Sequence, residues 1–100
     1  MARDPIRVLL VDDHAIARNG VRLMLGTADD IAVTAEAVNA HQALDVMRGA
    51  PFDVAMVDIT MPGMNGLDLL RQLRTRFPAT AVLMLSTYSE EIYAVRALKQ

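Results

Sequence analysis

Four short apolar runs recur along the chain, and the segments between them carry apolar residues at helical spacing. Ile6–Val11 is rich in β-branched residues and reads as a strand. Ile31–Ala37 is a weaker strand signal made mostly of small residues. Residues 54–57 are continuously apolar between two aspartates, the pattern of a central strand covered on both faces, and Ala81–Leu85 is a fourth buried strand. Between the first two runs, Ala17, Gly20, Val21, Met24 and Leu25 form an amphipathic stripe that ends near Gly26, with Arg18 and Arg22 on another face. Asn39 followed by Gln42 predicts a helix start, and that helix ends near Gly49 and Pro51. After a turn-rich loop at residues 61–66, Asn65 or Asp68 caps a helix carrying Leu67, Leu70, Leu73 and Phe77, which Pro78 stops. Ser89, Glu90 and Glu91 then open a last helix with Ile92, Val95 and Leu98 on one stripe. Strand and helix alternate throughout, so the expected fold is α/β: a doubly wound, mostly parallel sheet with helices on both faces, in one domain over residues 1–100.

Composition narrows the functions open to such a domain. Apolar residues make up 53% of the 100 residues, enough for a core, and charged residues 22%, too few for a disordered tail. The net charge of -2 and the lack of a basic stripe argue against nucleic-acid binding by this segment alone. There are no cysteines, which excludes disulfides, thiolate metal sites and cysteine nucleophiles. The first apolar run is interrupted at Asp12, so it is neither a signal peptide nor a membrane span, and a cytoplasmic location is expected.

In open parallel sheets the working site lies beyond the carboxyl ends of the strands. Asp12, Asp13, Asp58 and Ser86 all fall there. Three carboxylates on one rim repel one another unless a cation joins them, and Mg2+ suits oxygen ligands. Asp13 is the better direct metal ligand, Asp12 acts directly or through water, and the backbone carbonyl of Thr60 is a plausible further donor. A carboxylate also serves as a nucleophile at phosphorus, and Asp58, on the middle strand, is the candidate. Ser86 is placed to bond a phosphoryl oxygen. Taken singly, each residue has a plainer reading: Asp12 or Asp13 as a helix cap, Asp58 as a turn residue, Ser86 as a turn hydroxyl. His14 reads as a partly exposed residue opening the first helix rather than a phosphorelay histidine or general base, and His41 as a surface residue. Tyr88 and Tyr93 are candidates for a partner patch with Ile92 or for ordinary packing, while Arg71, Arg74 and Arg76 read as a solvated helix face.

The motifs at residues 8–14 (VLLVDDH), 58–66 (DITMPGMNG) and 83–88 (LMLSTY) resemble those of response regulator receiver domains of two-component systems. The Asp-Asp-His opening, the loop at residues 61–66 and the run at residues 93–99 are similar to the subfamily whose receiver precedes a LuxR-type helix-turn-helix. The resemblance implies a flavodoxin-like fold with strand order 2-1-3-4. It also implies Asp58 as phosphoacceptor, Asp12 and Asp13 as the acidic metal pair, Thr60 as the backbone-carbonyl ligand of Mg2+ and Ser86 as the switch hydroxyl. Pro62 and Gly66 match the loop shaping the pocket, and Thr60 and Tyr88 match positions that influence phosphate lifetime. The family also has a fifth strand with a lysine and a switch aromatic, followed by a fifth helix. The chain stops at Gln100, before them, so a truncated receiver is expected.

On this reading the chain is a regulatory domain rather than a turnover enzyme. It takes a phosphoryl group from a sensor histidine kinase and meets DNA only through a C-terminal domain outside these residues. The uncovered side of the fourth strand predicts self-association. Two other functions compete. A Mg2+-dependent aspartyl-phosphate hydrolase needs an Asp-x-Asp arrangement, against the adjacent Asp12 and Asp13 here. A pseudo-receiver that docks partners without phosphorylation has no need of Asp12, Asp13, Asp58 and Ser86 together.

Overall fold

The computed structural model describes residues 4–59, 66–85 and 92–93. Its elements are β1 (Ile6–Val11), α1 (Ala15–Leu25), β2 (Ile31–Ala37), α2 (Ala40–Gly49), β3 (Val54–Asp58), α3 (Gly66–Arg76), β4 (Ala81–Leu85) and β5 (Ile92–Tyr93). The sheet order is β2-β1-β3-β4-β5. The first four strands pair in parallel in the order 2-1-3-4, as expected. The most continuous apolar runs occupy the middle of the sheet, where both faces need cover.

Alternation along the strands sorts side chains between the two faces. Leu9, Val11, Ala55, Val57, Val82 and Met84 point to one side and meet Ala43, Leu44 and Met47 of α2 and Leu69 and Leu73 of α3 in one buried cluster. Val8 and Leu10 point to the other side and are also buried. α1 belongs to that side, but none of its residues is buried: Ala17, Val21 and Leu25 are half-buried, whereas Gly20 and Met24, expected in the inward stripe, are exposed.

The weak second strand owes its irregularity to one residue. Val8 pairs with Val33 but Leu9 pairs with Ala35, so Thr34 is an extra residue that bulges from the ladder. Since side chains alternate with period 2, the bulge reverses the facing of all that follows. Ala35 and Ala37 then join the core side, and Glu36, opposite Leu10, turns toward α1.

Helix starts follow local chemistry. The Asn39 side chain accepts the Gln42 N–H at 2.7 Å, while the Gln42 side-chain oxygen accepts the Val38 N–H at 2.7 Å. The first bond satisfies a backbone donor that the first turn of α2 leaves unpaired, and the second ties Val38, just before the N-cap, back to the helix. α3 ends at Arg76, two residues before Pro78. Asp68 lies in its first turn and pairs with Arg71 at 3.0 Å; Asn65 lies outside the described residues.

The helix expected to open at Ser89 is corrected at Ile92 and Tyr93. These residues form a two-residue strand, antiparallel to β4, pairing Leu85 with Ile92 and Met84 with Tyr93. A strand edge presents backbone donors and acceptors that need partners, and β-branched and aromatic residues favour strand pairing. The apolar spacing at 92, 95 and 98 is helical, and at Ile92 and Tyr93 pairing with the edge of β4 overrides it. Residues 89–91, Val95 and Leu98 lie outside the described residues.

Candidate functional site

The register of the sheet brings the acids together. Val11 pairs with Val57, so one step further along the same two strands Asp12 lies beside Asp58. Both then share the facing of Leu10 and Met56, the α1 side. Asp58 is the last residue of β3 and is 0% exposed; Asp12 is also buried. Asp13 follows at the start of the β1–α1 connection with a partly exposed carboxylate. Ligand atoms of Asp12, Asp13, His14 and Asp58 all lie within 4.8 Å of one another. The structure therefore assembles the three carboxylates that the sequence singles out. Thr60, Ser86, Pro62 and Tyr88 lie outside the described residues.

Each end of the acidic motif is fixed by the backbone around it. The Asp12 N–H donates to the Ala37 carbonyl at 3.0 Å, extending the β1–β2 ladder by one bond. The Asp12 Oδ1 accepts the His14 N–H at 2.9 Å, so Asp12 rather than Asp13 holds the entrance to α1. His14 is the N-cap and makes no side-chain cap bond. Its ring, 62% exposed, places Nδ1 2.9 Å from Asp13 Oδ1 and 3.3 Å from Asp12 Oδ1. At the end of β3, the Ile59 N–H donates to the Leu85 carbonyl at 2.9 Å, and the Gly66 N–H donates to the Ile59 carbonyl at 3.0 Å. A Cβ on Gly66 would collide with the Asp58 carbonyl oxygen and stand 2.7 Å from the Ile59 Cα. Only glycine lets α3 begin this close to the end of β3.

The sequence placed Arg18 and Arg22 only on a face of the first helix and gave Glu36 no role, yet all three meet beside Asp12. Arg18 donates from Nη1 to the Asp12 carbonyl at 2.7 Å and from Nε to Glu36 Oε1 at 2.9 Å. Arg22 donates to the other Glu36 oxygen at 2.7 Å. Glu36 is the single acid in an otherwise uncharged β2, and that isolation was the available signal. His41 pairs with Asp45 on the surface of α2, in keeping with its surface reading.

The donor set suits a hard divalent cation. Its carboxylate oxygens come from three residues gathered at one rim, and such crowding favours a positive charge among them. Among the described residues, no helix is long and apolar enough to cross a membrane.

The profile of the response regulator receiver domain matches residues 8–100. The chain belongs to the response regulator receiver domain family. The receiver is 36% identical over 98 residues to the nitrate/nitrite response regulator protein NarL of Escherichia coli K12, covering 98% of this chain and 45% of NarL. It is 33% identical over 94 residues to the transcriptional regulatory protein DegU of Brevibacillus brevis, covering 94% of this chain and 40% of DegU. Among solved structures, a two-component response regulator of the LuxR family from Aurantimonas sp. SI85-9A1 superposes with a TM-score of 0.78 at 34% identity, over 83% of this chain and 59% of that one. The receiver thus spans under half the length of these two sequence relatives.

Proposed function

We propose that this receiver is a phosphorylation switch in which Asp58 accepts a phosphoryl group from a sensor histidine kinase. The observation that carries the reading is the convergence of Asp12, Asp13 and Asp58, from the ends of two neighbouring strands, with ligand atoms within 4.8 Å. Asp12, Asp13 and Asp58, with the Thr60 carbonyl, would hold Mg2+. When bound, Mg2+ supplies positive charge against which two anionic reactants approach. One Asp58 oxygen forms a bond to phosphorus as the bond from phosphorus to the donor imidazole nitrogen breaks. The electron pair stays on that nitrogen, which takes up a proton. Ser86 is the hydroxyl assigned to a phosphoryl oxygen. The domain is a switch, not a turnover enzyme. DegU is a transcriptional regulatory protein; by analogy, the output of this receiver is control of transcription through a DNA-binding region outside the 100 residues, in the cytoplasm.

Intact mass spectrometry after incubation with Mg2+ and a small acyl phosphate tests this. One added phosphoryl group, dependent on Mg2+ and lost in Asp58→Asn, is the expected result. An unmodified chain, or equal labelling of Asp58→Asn, overturns the proposal, and the first outcome favours a docking-only receiver.

A further inference from the structure

The acidic pair is held by a device that lies outside it. Arg18 is on the second turn of α1, five residues past Asp13, and its guanidinium spans two elements. One arm donates to the carbonyl of Asp12 at 2.7 Å, and the Nε donates to Glu36 on β2 at 2.9 Å. The carbonyl of Asp12 belongs to the peptide that joins Asp12 to Asp13. A planar peptide fixes the directions of both flanking Cα atoms, so one hydrogen bond there orients both acids. The guanidinium is planar and rigid and presents its donors at fixed angles, which lets it hold two acceptors at set positions. Glu36 is itself secured from the far side by Arg22 at 2.7 Å. The side chains of Arg18 and Glu36 are both mostly buried, which strengthens the pair relative to a surface ion pair.

Charge cannot be the purpose of the arrangement. A cation beside an acidic metal site lowers affinity for a second cation, and Glu36 offsets that effect at Arg18. Geometry is what remains, and it depends on the Thr34 bulge, which turns Glu36 toward α1.

We propose that Arg18, braced by Glu36, is a positioning residue that orients the Asp12–Asp13 peptide for divalent-cation binding. The inference rests on the proposed Mg2+-dependent phosphoacceptor reading of the site.

Titration calorimetry with Mg2+ on the 100-residue chain, Arg18→Ala, Arg18→Lys and Glu36→Gln tests it, with thermal unfolding in the absence of Mg2+ as the folding control. Arg18→Ala is expected to weaken Mg2+ binding about 10-fold, the scale of lost outer-shell support. Arg18→Lys, which keeps a donor for the Asp12 carbonyl, recovers part of the loss. The Asp13 amide resonance, on the same peptide, shifts in Arg18→Ala without Mg2+. The sign of the affinity change separates the causes, because removing a nearby positive charge would by itself tighten Mg2+ binding. Affinity unchanged or raised in Arg18→Ala overturns the positioning role and leaves the phosphoacceptor reading intact. If Arg18→Ala does not fold, unchanged affinity in both Arg18→Lys and Glu36→Gln overturns it equally. Failure of the parent chain to bind Mg2+ removes both readings together.

Discussion

Asp58 and Asp53 close the two ends of one strand and show how differently position treats the same side chain. Asp58 ends β3 inside the rim and is buried, so its replacement by Asn is expected to abolish the mass increase while leaving the fold intact. Asp53 precedes β3 at the opposite edge, half-exposed, and accepts from Arg7 Nε at 3.1 Å and from the Arg7 backbone N–H at 2.8 Å. The side-chain hydrogen bond from Arg7, reinforced by the backbone one, holds the Asp53 carboxyl below its ordinary value of 3.8. A depressed carboxylate stabilises the fold at pH above its unfolded value, and that contribution is lost as pH falls from about 3.8 through the lower folded value. Asp53→Asn is therefore expected to flatten the acid limb of the stability-against-pH curve below about pH 4, as followed by denaturant unfolding at several pH values. An unchanged acid limb would mean that the pair contributes nothing to folding. The acids of the rim were legible in the sequence because each stands at the end of an apolar run. The Arg7–Asp53 pair was not, because its partners are 46 residues apart and meet only when β1 and β3 pair.

At the scale of elements, local signals predict well where the backbone itself is the partner. Asn39 caps α2 through a bond to the Gln42 N–H, and Asn39→Ala is expected to cost about 1 kcal/mol in denaturant unfolding. Gly66 starts α3 against the backbone of Asp58 and Ile59, so Gly66→Ala is expected to cost about 1–3 kcal/mol and to disturb the rim as well. A Gly66→Ala chain as stable as its parent would show that the approach relaxes without strain. The bounds of β1, β4 and α2 were legible because apolar runs and caps mark them. Thr34 was not: a bulge is a relation between two strands, and a single strand's sequence carries no trace of the partner's register. Ile92 and Tyr93 failed for a related reason, since their strand exists only through the edge of β4.

For the whole molecule, the two faces of the sheet are unequal. One face is packed by α2 and α3 into the main core, whereas α1 on the other leaves Ile16 89% and Leu23 75% exposed. Leu69→Ala, in the core, is expected to cost about 2–5 kcal/mol, against a change within about 0.5 kcal/mol for Leu23→Ala. Ile92 and Tyr93 pair with Met84 and Leu85 on the edge of β4 that was expected to stay open, so the exposed apolar side chains of α1 are the surface that favours association of copies. Sedimentation of the 100-residue chain is expected to show mass rising with concentration, and Leu23→Glu to reduce it; a monomer throughout would refute this. Alternating strands and helices made the architecture legible, but the inequality of its faces was not, because the stripe on α1 reads as ordinary amphipathicity. The bulge at Thr34 reaches furthest beyond this one chain. Phase along a strand is counted in residues, so relatives that lose or gain a single residue there exchange which side chain answers Arg18, even where glutamate is retained. In an alignment of receivers, a one-residue gap at Thr34 would thus say more about the setting of the acidic pair than any substitution at Glu36.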